Sequence, residues 1–103
     1  MKMKKKKAIR QKFRNDCLLR DNNKCKVCGE TADLAVHHII DRNEITNGGY
    51  IKENGITLCE ECHIKAEEYH ITHKQIFIDN YHPNDLFGLI NSSYELAIKL
   101  SKL

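Results

Sequence analysis

Two kinds of residue in this chain occur at spacings that chemistry uses. Cys25-Lys26-Val27-Cys28 and Cys59-Glu60-Glu61-Cys62 form two Cys-x-x-Cys pairs. Four thiolates in two such pairs have the ligand count and local spacing of a closed tetrahedral zinc site. Thirty residues separate Cys28 from Cys59, more than a simple zinc finger uses, so a substructure is expected between the knuckles. Inside and beside that insert stand His37-His38, Asn54 and His63. A neutral imidazole with a pKa near ~6.5 can take a proton from water at physiological pH, and it also ligates divalent metals. Each of these residues has a plainer reading as well. His63 follows a zinc ligand and could be a spare fifth one, Asn54 precedes Gly55 as a turn residue would, and His37-His38 could be surface polar residues of a strand.

The elements that must position them can be read from periodicity. Ile9, Phe13 and Cys17 fall at i, i+4 and i+8, which predicts an amphipathic helix over Ala8–Arg20, ended by Asp21-Asn22-Asn23. In that pattern Cys17 is a small core hydrophobe rather than a ligand. Leu34 to Ile40 reads as a strand, and Gly55 to Leu58 as a second one. The polar stretch Asp41–Tyr50, with Asn47-Gly48-Gly49, makes the pair a hairpin with a long connection. A helix is expected from Cys59 to about Tyr69, its first turn carrying Glu60 and Glu61 where the helix dipole favours them. Beyond Pro83 the sequence predicts a short helix capped by Asn84 or Asp85 and running through Ile90. A last one to Lys102 follows the capping-box spacing Ser92-Ser93-Tyr94-Glu95. His70, His73 and His82 are read as ordinary polar residues.

At 103 residues the chain fits one domain with a thin core, for which a metal is a useful supplement. The net charge of +3 conceals an asymmetry. Residues 1–24 carry ten Lys or Arg against Asp16 and Asp21, whereas the remainder carries seven against twelve acids. Such a basic N-terminus suits a polyanionic partner or serves solubility, and charge alone does not choose. The cysteine pairs are not a secreted framework, and Lys2–Lys7 is too polar for a signal-peptide core, so a reducing, cytoplasmic setting in a bacterial or phage-infected cell is expected. No run approaches the roughly 18 apolar residues of a membrane span.

Taken in order and spacing, Cys25-Lys-Val-Cys-Gly, Ala35-Val-His-His-Ile-Ile and Asn54-Gly-Ile-Thr-Leu-Cys-Glu-Glu-Cys-His63 resemble the HNH endonuclease family in its zinc-stabilised form. The resemblance covers about residues 17–66, and Arg20-Asp21 and Lys65 look like the family's flanks. It implies an α+β fold: a small ββα-metal core with a four-cysteine structural zinc, an N-terminal basic helix and C-terminal helices. Like charges repel and nothing apolar is present to bury over residues 1–7, so a disordered basic arm is expected there; one nuclease domain is expected over 8–103, with a motif core at 24–69 and a helical extension at 70–103. By the same resemblance His38 is the general base, Asn54 braces the hairpin, and His63 ligates a catalytic metal. His37 stands where the family commonly has a metal-binding Asp. The family's proline after the first histidine is absent; Ile40-Asp41 stands there, and Asp41 is a candidate to approach the metal.

The implied reaction is cleavage of a DNA phosphodiester, on double-stranded DNA. Attack needs a deprotonated water, and a divalent cation with open positions offsets the charge that builds on phosphoryl and leaving oxygens. Mn²⁺, Ni²⁺, Co²⁺, Mg²⁺ and Zn²⁺ are candidates, and two imidazoles make a softer site that favours the others over Mg²⁺. Regular strand geometry turns neighbouring side chains to opposite faces, so His37 and His38 should not both address one phosphate unless the strand is irregular or the phosphate sits across its edge. The competing readings are a non-catalytic zinc-stabilised module that binds nucleic acid, and, third, a redox protein, for which no βαβ setting is present. The apolar Leu86–Leu103 segment is available for a homodimer contact or for packing on the thin core.

Overall fold

The computed structural model describes the backbone from Lys2 to Leu103 and side chains from Lys5 onward. Its elements are α1 (Lys2–Arg20), β1 (Leu34–His38), β2 (Gly55–Cys59), α2 (Glu60–Ile71), α3 (Pro83–Leu89) and α4 (Tyr94–Ser101). Three 3-10 turns, Arg42–Glu44, Thr46–Gly49 and Lys52–Asn54, fill the connection between the strands. β1 and β2 pair antiparallel, from Leu34 opposite Cys59 to His38 opposite Gly55. A hairpin followed by a helix, beside a four-cysteine cluster, is the small α+β core that the sequence predicts. No helix among the described residues is long and apolar enough to cross a membrane.

β1 stops at His38, two residues short of the apolar run that predicts it. The ladder gives way there because Asn54 takes over: its carbonyl accepts from Ile39 N (2.9 Å) and its side-chain oxygen from Ile40 N (2.9 Å). Ile39 and Ile40 turn instead into the core, where they are joined by Ile56, Leu58, Ala66, Leu86, Phe87 and Ala97. Every residue of β2 is buried, since α1 and α2 both pack on it.

α1 begins at Lys2, so lysines that like-charge repulsion assigns to a disordered arm are drawn into the helix, while Met1 lies outside the described residues. Lysine has good helix propensity, and the packed turns further along supply the nucleus onto which the run propagates. Of the expected apolar face only Phe13 and Cys17 are buried; Ile9 is exposed, because the sheet beneath is too short to reach it. Burial pushes the Cys17 thiol up to about 12, in keeping with a small core residue. The close approach depends on Gly55: a Cβ there would stand 2.6 Å from the Cys17 sulfur and from Phe13 ring carbons.

A buried ion pair fixes the end of α1. Asp21 is only 1 % exposed at its side chain; Arg20 Nε donates to its Oδ1 and Nη2 to its Oδ2, both at 2.7 Å. Asp21 Oδ2 also accepts from Thr57 N in β2 (3.0 Å), and Arg20 donates to the carbonyls of Gly55 (2.6 Å) and Lys52. Burial works to raise the Asp21 carboxyl, but Arg20 and Thr57 outweigh it and hold it below the usual carboxylate range.

The cysteine pairs meet where the hairpin ends. All five cysteines are free of disulfides, and the ligand atoms of Cys25, Cys28, Cys59 and Cys62 lie within 4.8 Å of one another. Cys28 and Cys59 sulfurs are 3.6 Å apart, close to the ~3.8 Å that a tetrahedral zinc with Zn–S of about 2.3 Å requires. The donor set therefore fits a structural zinc. Lys26 N donates to Thr57 O (2.9 Å), tying the first knuckle to β2, and Cys59 sulfur accepts from Cys62 N (3.5 Å) at the start of α2. Tyr81 Oη donates to Cys62 Sγ (3.2 Å), which brings the C-terminal region onto the cluster. Burial pushes the Cys62 thiol up to about 12, so a cation is needed for this sulfur to carry its charge at neutral pH.

The tail is shaped by local caps. His82, not Asn84 or Asp85, is the N-cap of α3: its Nδ1 accepts from Asn84 N (3.0 Å) while Asp85 accepts from His82 N (3.3 Å), with Pro83 opening the helix. Ser93 caps α4 by accepting from Leu96 N (3.1 Å). The turn between α3 and α4 and the end of α4 lock the hairpin connection, through Ser92 Oγ to Glu53 O (2.8 Å) and Asn47 Nδ2 to Ser101 O (3.0 Å).

Removing zinc with a chelator should unfold the chain or lower its thermal midpoint sharply, followed by circular dichroism, with one zinc per chain released to a colorimetric dye. A chelated sample melting like the untreated one would show that the sulfurs hold no structural ion. Asp21→Asn should lower stability by about 2–3 kcal/mol in urea unfolding. The sign follows from the lowered folded pKa: the contribution is full above the unfolded value of ~3.9 and fades as pH falls through the lower folded one. Wild type and variant should therefore converge in acid.

Candidate active site

Asn54 holds the frame on which the histidines sit. It is fully buried; besides accepting from Ile40 N, its Nδ2 donates to Ile40 O (3.1 Å) and Gly49 O (3.3 Å). One amide thus joins both ends of the long connection, satisfying backbone groups that a broken ladder would leave bare. Gly49 is required beside it: the residue has φ of 63°, and a Cβ would stand 2.5 Å from Asn54 Nδ2.

Strand alternation sends His37 and His38 to different neighbours. His37 is buried against α2, with Nδ1 3.1 Å from Glu67 Oε1. His63 Nε2 reaches the same oxygen, also at 3.1 Å, and the two rings are 5.3 Å apart. The carboxylate accepts, so both rings donate to it; with a cation at the centre the same two nitrogens present lone pairs. The ligand atoms of His37, His63 and Glu67 lie within 4.8 Å of one another, the second such group among the described residues. Hydrogen bonds from His37 and His63 hold the Glu67 carboxyl well below its usual range, whereas burial holds His37 below that of a free imidazole. Two imidazoles and a carboxylate are a donor set that fits a divalent transition metal.

His38 faces α1. Its ring stacks on Phe13 (centroids 4.7 Å apart) and meets the Tyr50 ring edge-on at 4.8 Å. Burial, reinforced by His37 and Arg42, pushes it down to about 4, so the imidazole is neutral. Nε2 is buried without a hydrogen-bond partner among the described residues. The ring lines a cleft of about 290 Å³ together with Asp41, Arg42, His63, Glu67 and His70. His38 and His63 therefore share one cavity although His37 and His38 diverge.

Two members of this group were not expected as site residues. Glu67 lies one helical turn after His63, at the i, i+4 spacing that places both on one face of α2. That spacing is the signal that would have found it. His70, read from sequence as an ordinary polar residue, stacks on His37 (5.2 Å, 24°), and its Nε2 donates to His38 O (2.9 Å), which ties α2 to the end of β1. Asp33, Glu44, Glu53 and His73, which residue type alone admits as extra ligands, lie elsewhere: Glu44 pairs with Lys74 (2.9 Å), His73 is exposed, and Asp33 and Glu53 line other clefts.

The comparison with protein families agrees with this geometry. Residues 25–68, somewhat under half of the chain, match the family model described as HNH endonuclease. No curated protein and no solved structure gives a match. The stretch from the first knuckle to the turn of α2 that carries Glu67 is thus similar to HNH endonucleases, and it contains both Cys-x-x-Cys pairs.

Proposed function

We propose that the chain is a divalent-metal-dependent endonuclease that hydrolyses a phosphodiester of double-stranded DNA, with residues 8–103 working as one nuclease domain. The observation that carries this reading is the single cleft onto which His38 opens together with His63 and Glu67. His37, His63 and Glu67 would hold the catalytic metal, as two imidazoles and a carboxylate. The bound ion supplies Lewis-acid stabilisation of the phosphoryl and leaving oxygens. His38 Nδ1 takes a proton from the attacking water as the new P–O bond forms, the P–O3′ bond breaks, and the 3′ oxygen takes a proton from solvent. Packing on Phe13 and Tyr50 makes His38 a weaker base than free imidazole, and the anionic phosphate entering the cleft works against that by favouring the imidazolium. Asn54 acts as a positioning residue, since it fixes Ile39 and Ile40 directly after the base.

Glu67 changes the expected metal preference. A carboxylate is a harder donor than imidazole, so Mg²⁺ is better served than by His37 and His63 alone. One cleft cuts one strand, which makes a nick the primary product.

Incubated with supercoiled plasmid and Mn²⁺, the protein should yield relaxed circles before linear DNA. His38→Ala should slow nicking by roughly 10²–10⁴-fold in a chain that stays folded by circular dichroism; equal rates would hand the chain to the class of non-catalytic nucleic-acid-binding modules. Glu67→Ala should raise the Mn²⁺ concentration at half-maximal nicking by at least roughly tenfold. An unchanged Mn²⁺ requirement would remove Glu67 from the ligand set.

A further inference from the structure

Arg42 stands in the walls of two clefts. The first is that of His38 and His63; the second, about 660 Å³, lies between α1, the 3-10 turns and the end of α4, with Lys6, Arg10, Asn43 and Tyr50 in its wall. Tyr50 joins them physically. Its ring lies 4.8 Å from that of His38 and 5.5 Å from that of Phe13, and the Arg10 guanidinium carbon is 6.0 Å from its centroid. Burial works to raise the Tyr50 phenol, but the guanidinium groups of Arg42 and Arg10 outweigh it and hold it below its usual range. Arg10 lies over the Tyr50 ring, and Arg42 lines the same cleft.

These cations are not spent on the fold. Lys12, Arg20 and Lys74 are engaged with Asp16, Asp21 and Glu44, whereas Lys6, Arg10 and Arg42 are exposed and in no ion pair among the described residues. Like charges converging on a concave wall raise the local potential for an anion, and a guanidinium fork matches two phosphate oxygens.

We propose that the second cleft is a phosphate track, in which Lys6, Arg10 and Arg42 hold the sugar-phosphate backbone of DNA directly beside the bond cut in the first. The choice of DNA as occupant rests on the nuclease reading; the track itself rests on the shared Arg42 wall and the unpaired cations. Tyr50 gives the track a second effect. Because it contacts both the arginines and the His38 ring, a strand seated on Arg10 and Arg42 also steadies the face against which the base packs.

The test is fluorescence anisotropy of a labelled duplex with zinc-loaded protein in Mn²⁺, on a His38→Ala background so that the strand is not cut. The double variant Arg10→Gln/Arg42→Gln should flatten the slope of log affinity against log salt by about 0.9 for each phosphate that is no longer neutralised. Lys24→Ala, which removes a charge lining neither cleft, should keep the parent slope. An unchanged slope in the double variant at an unchanged thermal midpoint overturns the track, as does an equal loss in Lys24→Ala. Both arginines are exposed, so the fold should survive; Arg10→Lys/Arg42→Lys, which keeps the charge, should retain the slope if the loss is electrostatic. Slope loss in the double variant, with no nicking by the His38-intact chain, supports the track while ending the nuclease reading.

Discussion

Four sulfurs brought within one coordination sphere set the geometry from which everything else follows. The first pair precedes β1 and the second spans the end of β2 and the first turn of α2, so closing the cluster fixes where the hairpin starts and where its helix departs. The apolar core of this short chain is small, and a metal held by the knuckles would supply rigidity that side-chain packing alone provides poorly at this size. Once β2 and α2 are set, His63 and Glu67 have a defined position, and the register of β1 delivers His37 to them.

Two walls then meet at the cleft by different physics. The α2 wall is polar and closed on itself, with one carboxylate oxygen shared by two imidazoles and a third ring stacked behind. The other is the His38 ring, backed by aromatic packing on Phe13 of α1 and Tyr50 of the hairpin connection. Putting the two rings of the His-His pair on different walls resolves the conflict that strand alternation raises. Neighbouring residues do point apart, and the cavity wraps far enough to be reached by His38 and by His63.

The parts legible in the sequence are those in which residue type and short spacing carry the information. Two Cys-x-x-Cys pairs announce a cluster because ligand geometry is local, and Asn54 and the histidines stand out by their order around them. Glu67 is hidden by abundance: three other acids lie on the same stretch, and only the phase of α2 against the hairpin selects one. Tyr50 and Phe13 are invisible as neighbours of His38, since one sits in an irregular connection and the other 25 residues before it, on a helix whose docking depends on a glycine contact. The end of β1 departs from its expected place for a related reason. Ile39 and Ile40 have strand-like side chains, but a buried amide rather than a neighbouring strand claims their backbone.

The fastening of the hairpin connection by the C-terminal helices also bears on transplantation. Ser92 and Ser101 each bond a backbone or side chain of that connection, so its path is held from outside as well as by Asn54. The segment 25–68 is therefore not a portable cassette. Grafted onto another scaffold without the last two helices, it would keep its ligands and lose the outer clasp that gives the connection its shape.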